Sequence, residues 1–253
     1  MTTSKGRPLV VLQTKTSTDF ERNGEHLLKL IAASPSRSIV VTPEVALTGF
    51  AYDRMEEAVD ASLRYRDEIL RRFDDRIVTL TYIVKENDRY YNRTDVMHGG
   101  RVVHSQDKVK LFLPGNEGRY FEPGDPEKIR LFEVDGLCMG LLVCFELRFV
   151  EYWLRLRGAD IVLNPSRWGL PRKNHYEVFT RALALANQCY VAASNSADED
   201  MAASSGVIGP NAQALCDDKK ERIEAFYSPK EIKKIRRYIP MGIIPTENER
   251  VCQ

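Results

Sequence analysis

One stretch of this chain limits its fold more than any other. Leu137–Val143 is apolar throughout, with none of the alternation expected of a strand that has one wet face. Asp135-Gly136, a turn signal, precedes it and Cys144 follows it, so the run is far too short to cross a membrane and reads as a strand covered on both sides. Such a strand needs neighbours above and below. The rest of the chain supplies them in alternation. Leu9–Leu12, Ser38–Thr42, Ile77–Val84, Lys128–Val134, Ala159–Leu163 and Tyr190–Ser194 read as strands. Phe20–Ala33, Glu56–Phe73, Phe149–Leu156 and His175–Asn187 read as helices, and Gly158 stops the third of these. Asp95–Val103 reads as a hairpin turning at Gly99-Gly100, Val207–Leu215 as a final hairpin, and the chain from about Glu231 as a basic helix with a short tail. Strand–helix–strand order predicts an α/β fold, and the hairpins predict mixed sheets. No repeat, linker or composition break divides the chain, so residues 1–253 are read as a single domain.

Composition narrows the function classes. Apolar residues make up 43% and charged residues 29% of the 253, as in a water-soluble globular domain. A formal net charge of +1 gives no concentrated basic face for nucleic acid. The basic stretch Lys230, Lys233, Lys234, Arg236 and Arg237 has Glu224 and Glu231 nearby and reads as a solvated helix face. The start, Met1 to Pro8, is polar and unlike a secretory signal, and no apolar run reaches bilayer length, so the expected location is cytoplasmic and no membrane partner is expected. The five cysteines (Cys138, Cys144, Cys189, Cys216 and Cys252) are scattered and form no CxxC pair, which argues against a disulfide framework and against a zinc site.

Cys144 stands where the apolar strand ends and Phe145-Glu146-Leu147-Arg148 leads to the next helix. It is either a core cysteine closing a buried strand or a nucleophile held at a strand-to-helix bend. In the second reading, N–H groups of the coming helix would favour a thiolate and bind a developing oxyanion. A nucleophile also needs a base and an electrostatic partner. His26, His98, His104 and His175 carry no local signature of catalysis, although a cysteine–histidine hydrolase is a possible alternative. Glu44, in Thr42-Pro43-Glu44-Val45-Ala46-Leu47-Thr48-Gly49-Phe50, has apolar neighbours; it is a helix-start glutamate or a poorly solvated base. Lys108 and Lys110, two apart, would share one strand face, where a lysine could hold charge beside a thiolate or simply face solvent. Glu117 follows in a Gly- and Pro-containing loop with Tyr120 and Phe121 that could wall a pocket.

Taken in order, Glu44, Lys108 and Cys144, each near a strand end, resemble the nitrilase superfamily of carbon–nitrogen hydrolases. The similarity covers nearly the whole chain. Thr42-Pro43-Glu44 through Phe50 resembles the glutamate motif, and Lys108 to Leu111 with Glu117 and Tyr120 to Gly124 the lysine motif and its loop. Cys144 to Phe149 resembles the cysteine motif, and Gly158 to Pro165 with Arg181 to Val191 the following elements. The resemblance implies a four-layer αββα sandwich, a homodimer or higher homo-oligomer, and no metal or organic cofactor. It implies that Glu44 takes the Cys144 proton, that Lys108 and the N–H of Phe145 hold the oxyanion, and that a thioester is then hydrolysed. Glu117 is similar to the family's second glutamate, and Phe50, Tyr120, Phe145 and Trp168 are the expected substrate-binding residues. Three positions depart: Lys110 stands where many members carry histidine, Asp107 where a basic residue is common, and Val150 where proline is frequent. Phe145-Glu146 after the cysteine, in place of the Trp-Glu of true nitrilases, favours a small carboxamide or N-carbamoyl substrate. A nitrile hydrolase and a non-catalytic scaffold that keeps the fold are the alternatives.

Overall fold

The computed structural model describes residues 6–243, so the sequence readings for residues 1–5 and for the tail with Cys252 lie outside the described residues. In chain order the first half contains β1 (Arg7–Leu12), α1 (Phe20–Ala32), β2 (Ile39–Val41), α2 (Met55–Arg72), β3 (Ile77–Glu86), β4 (Arg89–His98), β5 (Arg101–Asp107) and the short α3 (Glu117–Tyr120). The second half contains β6 (Phe132–Val134), β7 (Leu137–Leu141), α4 (Val150–Arg155), β8 (Ile161–Pro165), α5 (Lys173–Asn187), β9 (Tyr190–Ser194), β10 (Ser205–Ile208), β11 (Ala214–Asp217), β12 (Arg222–Tyr227) and α6 (Pro229–Tyr238).

Two six-stranded sheets result, ordered β12-β1-β2-β3-β4-β5 and β11-β10-β9-β8-β7-β6. Both are mixed. The parallel pairs β1–β2 and β2–β3 of the first sheet correspond to β7–β8 and β8–β9 of the second, with antiparallel strands on either side. Side-chain alternation then assigns the faces. Leu9, Val11, Ile39 and Val41 join the central core with Leu141, Ile161 and Leu163 of the second sheet. Val10, Leu12, Val40 and Val78 turn the other way, onto Leu27 and Ile31 of α1 and Tyr65 and Ile69 of α2. Helices α4 and α5 add Trp153, Tyr176 and Leu183 to the core of the second sheet. The layers are therefore helices, sheet, sheet, helices.

The apolar run Leu137–Val143 is buried as expected except at Cys138, which is half-buried: Leu141, Leu142 and Val143 are 1%, 0% and 0% exposed. Each such side chain contributes roughly 2 kcal/mol by burial. Gly140 has a packing reason, since a Cβ there would come within 2.8 Å of Leu156, just past α4. Gly99 and Gly100 both take positive φ in the β4–β5 turn, as a two-residue hairpin of this kind demands.

Several expectations need correction. Lys128–Val134 is not one strand. Pro126 opens a short 3-10 helix over Pro126–Lys128, capped by the Asp125 side chain, and only Phe132–Val134 pairs. Lys108 and Lys110 do not share a strand face, because β5 ends at Asp107 and the N–H of Val109 turns to the Glu146 carboxylate. Elements not foreseen include α3, in what the sequence reads as a loop, the β3–β4 hairpin, turning at Asn87-Asp88 with both φ positive, and β12, which pairs antiparallel with β1.

Candidate active site

The site forms where the carboxyl ends of the parallel strands of both sheets meet, the usual ligand-binding edge of an α/β layer. From the first sheet, Glu44 follows β2, with Thr42 still bonded to the carbonyl of Thr79 on β3 through both its N–H (3.3 Å) and its Oγ1 (2.9 Å). From the second, Cys144 follows β7. The two edges are stitched together, since the N–H of Glu44 donates to the carbonyl of Ser166, just after β8, at 3.1 Å. Val45 and Cys144 both take left-handed backbone, with φ of +45° and +47°. A non-glycine residue held there costs on the order of 1–3 kcal/mol and persists only where its surroundings impose it. Both sharp bends deliver a side chain to the same point.

Lys108 fills that point. It is 0% exposed, and its Nζ donates to Glu44 Oε1 and to Glu117 Oε1, each at 2.7 Å. The remaining carboxylate capacity is also used. Asn92 Nδ2 on β4 donates to Glu44 Oε1 at 2.8 Å, and the N–H of Arg167 to Glu44 Oε2 at 3.1 Å. The N–H of Phe112 donates to Glu117 Oε2 at 3.0 Å. Burial works against the lysine's charge, but the two carboxylates more than offset it and hold Lys108 well above the ordinary lysine range. Glu117 is shifted up because burial and the Glu44 carboxylate oppose its ionisation more than Lys108 favours it.

The thiol departs from the sequence expectation. Burial, then the Glu44 carboxylate, push Cys144 well above the usual thiol range, against the pull of Lys108 and of the Arg167 N–H. These surroundings favour the neutral thiol over the thiolate. The turn that follows is a five-residue 3-10 helix over Cys144–Arg148, too short to supply the field of a long helix.

A cavity of about 150 Å³ opens onto Cys144 and Glu117. Of the expected substrate-binding residues, Phe50, Phe145 and Trp168 line it. Tyr120 does not. Its ring is stacked on Tyr52 with centroids 4.1 Å apart, and it is 41% exposed. Lys110 lies 4.8 Å from the Phe149 ring centroid, apart from the Lys108 cluster. Among the described residues no histidine lines the cavity. His26 meets Glu221, His98 meets the carbonyl of Arg76, His104 is stacked on Phe132, and His175 accepts from Arg148 Nη2 through Nδ1 at 3.0 Å. Also among the described residues, no group of three or more His, Cys, Asp or Glu is disposed to hold a metal ion, and no helix is long and apolar enough to cross a membrane.

The cavity wall holds what sequence reasoning missed: Arg148, Arg167 and Arg172. Arg167 is paired with Asp198 at 2.5 Å. Arg148 and Arg172 have no carboxylate at ion-pair distance among the described residues. Arg148 lies over the Trp168 ring at 4.8 Å and Arg172 over Phe112 at 4.9 Å. Burial, then repulsion from Arg172, lowers the pKa of Arg148. Asn92 also escaped notice, although an asparagine inside a β-rich segment is a departure from strand preference that could have flagged it.

The carbon-nitrogen hydrolase family model matches residues 9–227. The chain belongs to the carbon-nitrogen hydrolase family, within the nitrilase superfamily. This hydrolase is 28% identical over 222 residues to 2-oxoglutaramate amidase of Bacillus subtilis (strain 168), covering 82% of this chain and 85% of that one. It is 27% identical over 239 residues to the deaminated glutathione amidase of Escherichia coli O157:H7, covering 88% and 90%. The hydrolase shares its fold with a CN-hydrolase superfamily protein of Xanthomonas campestris whose active site carries an arsenic adduct (TM-score 0.83, 21% identity, 93% and 95% covered). It also shares it with Saccharomyces cerevisiae Nit3, a member of branch 10 of the nitrilase superfamily (TM-score 0.80, 20% identity, 98% and 97% covered).

Proposed function

We propose that this hydrolase cleaves the terminal amide of a small carboxylate-bearing substrate, with Cys144 as nucleophile, Glu44 as general base and acid, and Lys108 and Glu117 as the electrostatic frame. The observation that carries this reading is Cys144, on its left-handed bend, opening into a cavity beside a lysine clamped between two carboxylates. Because the resting thiol is neutral, its proton moves as the sulfur attacks. Glu44 accepts the proton while the sulfur bonds to the amide carbon, and the carbonyl oxygen takes the electron pair, beside the Lys108 ammonium and the N–H of Phe145. Glu44 returns the proton to the nitrogen as the C–N bond breaks, which releases ammonia and leaves a thioester. Water then attacks the thioester carbon, giving up a proton to Glu44, and the thiolate leaves and is reprotonated.

The acyl half of the substrate would lie against the wall. Two guanidiniums that have no carboxylate partner among the described residues, and are close enough to repel each other, are relieved by a bound anion. The relatives named 2-oxoglutaramate amidase and omega-amidase fit that polarity. Ammonia release from half-amides of dicarboxylic acids, from neutral amides of the same length, from N-carbamoyl compounds and from nitriles tests the reading. Half-amides are expected to be turned over most efficiently. Turnover confined to nitriles, or undiminished in Cys144→Ser, overturns it.

A further inference from the structure

The chemistry above leaves one buried carboxylate beside the thiol without a task. Glu146 is 0% exposed. Its Oε1 accepts from the N–H of Val109 at 2.6 Å, and its Oε2 from the N–H of Val143 at 2.7 Å and from Gln106 Nε2 at 3.3 Å. Val109 is the residue after Lys108, and Val143 is the residue before Cys144. A single carboxyl group thus joins the chain neighbours of the cation and the nucleophile, which come from different sheets. The N–H of Glu146 also donates to the carbonyl of Val143 at 3.0 Å, closing the turn that holds Cys144 at its positive φ.

We propose that Glu146 is a positioning residue: its carboxylate sets the separation between the Cys144 sulfur and the Lys108 ammonium, and does so only when ionised. This rests on the thioester chemistry proposed above. The reason for the charge requirement is the donor set. All three partners are N–H groups, which an ionised carboxylate accepts on both oxygens. A protonated carboxyl places an O–H against one of them, and that bond is lost. Burial pushes Glu146 up to about 7, countered by the N–H groups of Val143 and Val109 and by Lys108, and reinforced by Glu44. Behind Gln106, the ring Nε2 of His104 lies 3.4 Å from Gln106 Oε1, and burial pushes that imidazole down to about 4. His104 therefore stays neutral while Glu146 titrates. As pH falls through about 7, the link between the two loops weakens and the chemical step slows.

The test compares wild type, Glu146→Gln, Gln106→Leu and Cys144→Ser, using the half-amide of succinic acid. The readouts are kcat and KM between pH 5.5 and 8.5 and the rate of Cys144 alkylation by iodoacetamide, followed by intact mass. Glutamine keeps the size of Glu146 but turns an NH₂ toward one N–H donor. Its kcat should fall about tenfold or more, as expected for small misplacement of reacting groups. KM should stay within about twofold, because the cavity wall is untouched. The acid-side decline in kcat should disappear, and Cys144 should alkylate at a different rate. Gln106→Leu removes one donor to the carboxylate, which favours protonation, so its acid-side decline should move to higher pH. A Glu146→Gln enzyme with wild-type kcat and an unchanged acid limb overturns the proposal, as does a Gln106→Leu profile that superimposes on wild type. With Cys144→Ser inactive, either outcome removes the positioning role and leaves the hydrolytic reading standing. Turnover in Cys144→Ser removes the chemistry beneath both.

Discussion

The floor and the wall of the cavity treat positive charge in opposite ways. On the floor, Lys108 is sealed from water and held by two carboxylates at 2.7 Å each. On the wall, Arg148 and Arg172 are half-buried, lie over aromatic rings, and have no carboxylate within ion-pair distance among the described residues. A charge already paired inside the protein is fixed before any substrate arrives, so its field acts on the transition state without reorganisation. A charge left unpaired stays available to a ligand and selects among ligands. In the proposed reading the floor serves the bond that breaks and the wall the molecule that carries it.

Breaking the floor should have the largest effects. Cys144→Ala is expected to lower kcat by about 10⁴-fold or more, as for loss of a nucleophile, while thermal unfolding changes little. Lys108→Met comes next. It should cut kcat by about 10²–10³-fold, and leaving Glu44 and Glu117 facing each other in a buried site should cost about 3–5 kcal/mol of stability, read by urea denaturation. Changes to the wall should be smaller and selective. Arg148→Met and Arg172→Met should each raise KM for a half-amide by about 10–100-fold, the range of a charged hydrogen bond, with kcat for a neutral amide unaffected. Equal losses on neutral and anionic amides would erase the distinction between the two regions.

The smallest effect concerns His104, behind the floor. Its folded value of about 4 lies below the ordinary 6.5, so the unfolded chain binds more protons between those limits. The native state therefore has the stability linked to this ring in full above pH 6.5 and loses it as pH falls toward 4. His104→Gln should remove that loss, on the order of 2 kcal/mol at pH 4.5. The difference in melting temperature between the two proteins should shift in favour of the variant from pH 7 to pH 4.5. A constant gap would mean that the ring does not titrate in this window.

The floor was more legible in the sequence than the wall, for a physical reason. Glu44 and Cys144 each end a strand marked by its own apolar residues, so local pattern alone brings them to a sheet edge. Lys108 and Glu117 were readable from neighbouring motif residues. Asn92 and the N–H of Arg167 reach Glu44 only through strand pairing and through contact between the sheets, which no local window encodes. Lys110 was misplaced because a strand was assumed to continue where Glu146 captures the next N–H. Tyr120 was misplaced because α3 is only four residues long and its orientation depends on packing against Tyr52. The arginines were visible as residues, but whether an arginine is paired depends on distant carboxylates. Asp198, for example, takes Arg167 from 31 positions away. Strand β12 does alternate, with Ile223, Ala225 and Tyr227 on the core face and Arg222 and Glu224 on the other, so its pattern was there to be read and only its pairing with β1 needed the structure.

That last pairing joins strands from opposite ends of the described residues. β12 (Arg222–Tyr227) lies against β1 (Arg7–Leu12), so one edge of β1 stays uncovered until the long stretch of chain between the two has been made and folded back. Glu44 and Cys144 follow strands of different sheets, so the two side chains meet only once those sheets have packed together. Their meeting is therefore a product of long-range packing and of neither strand alone.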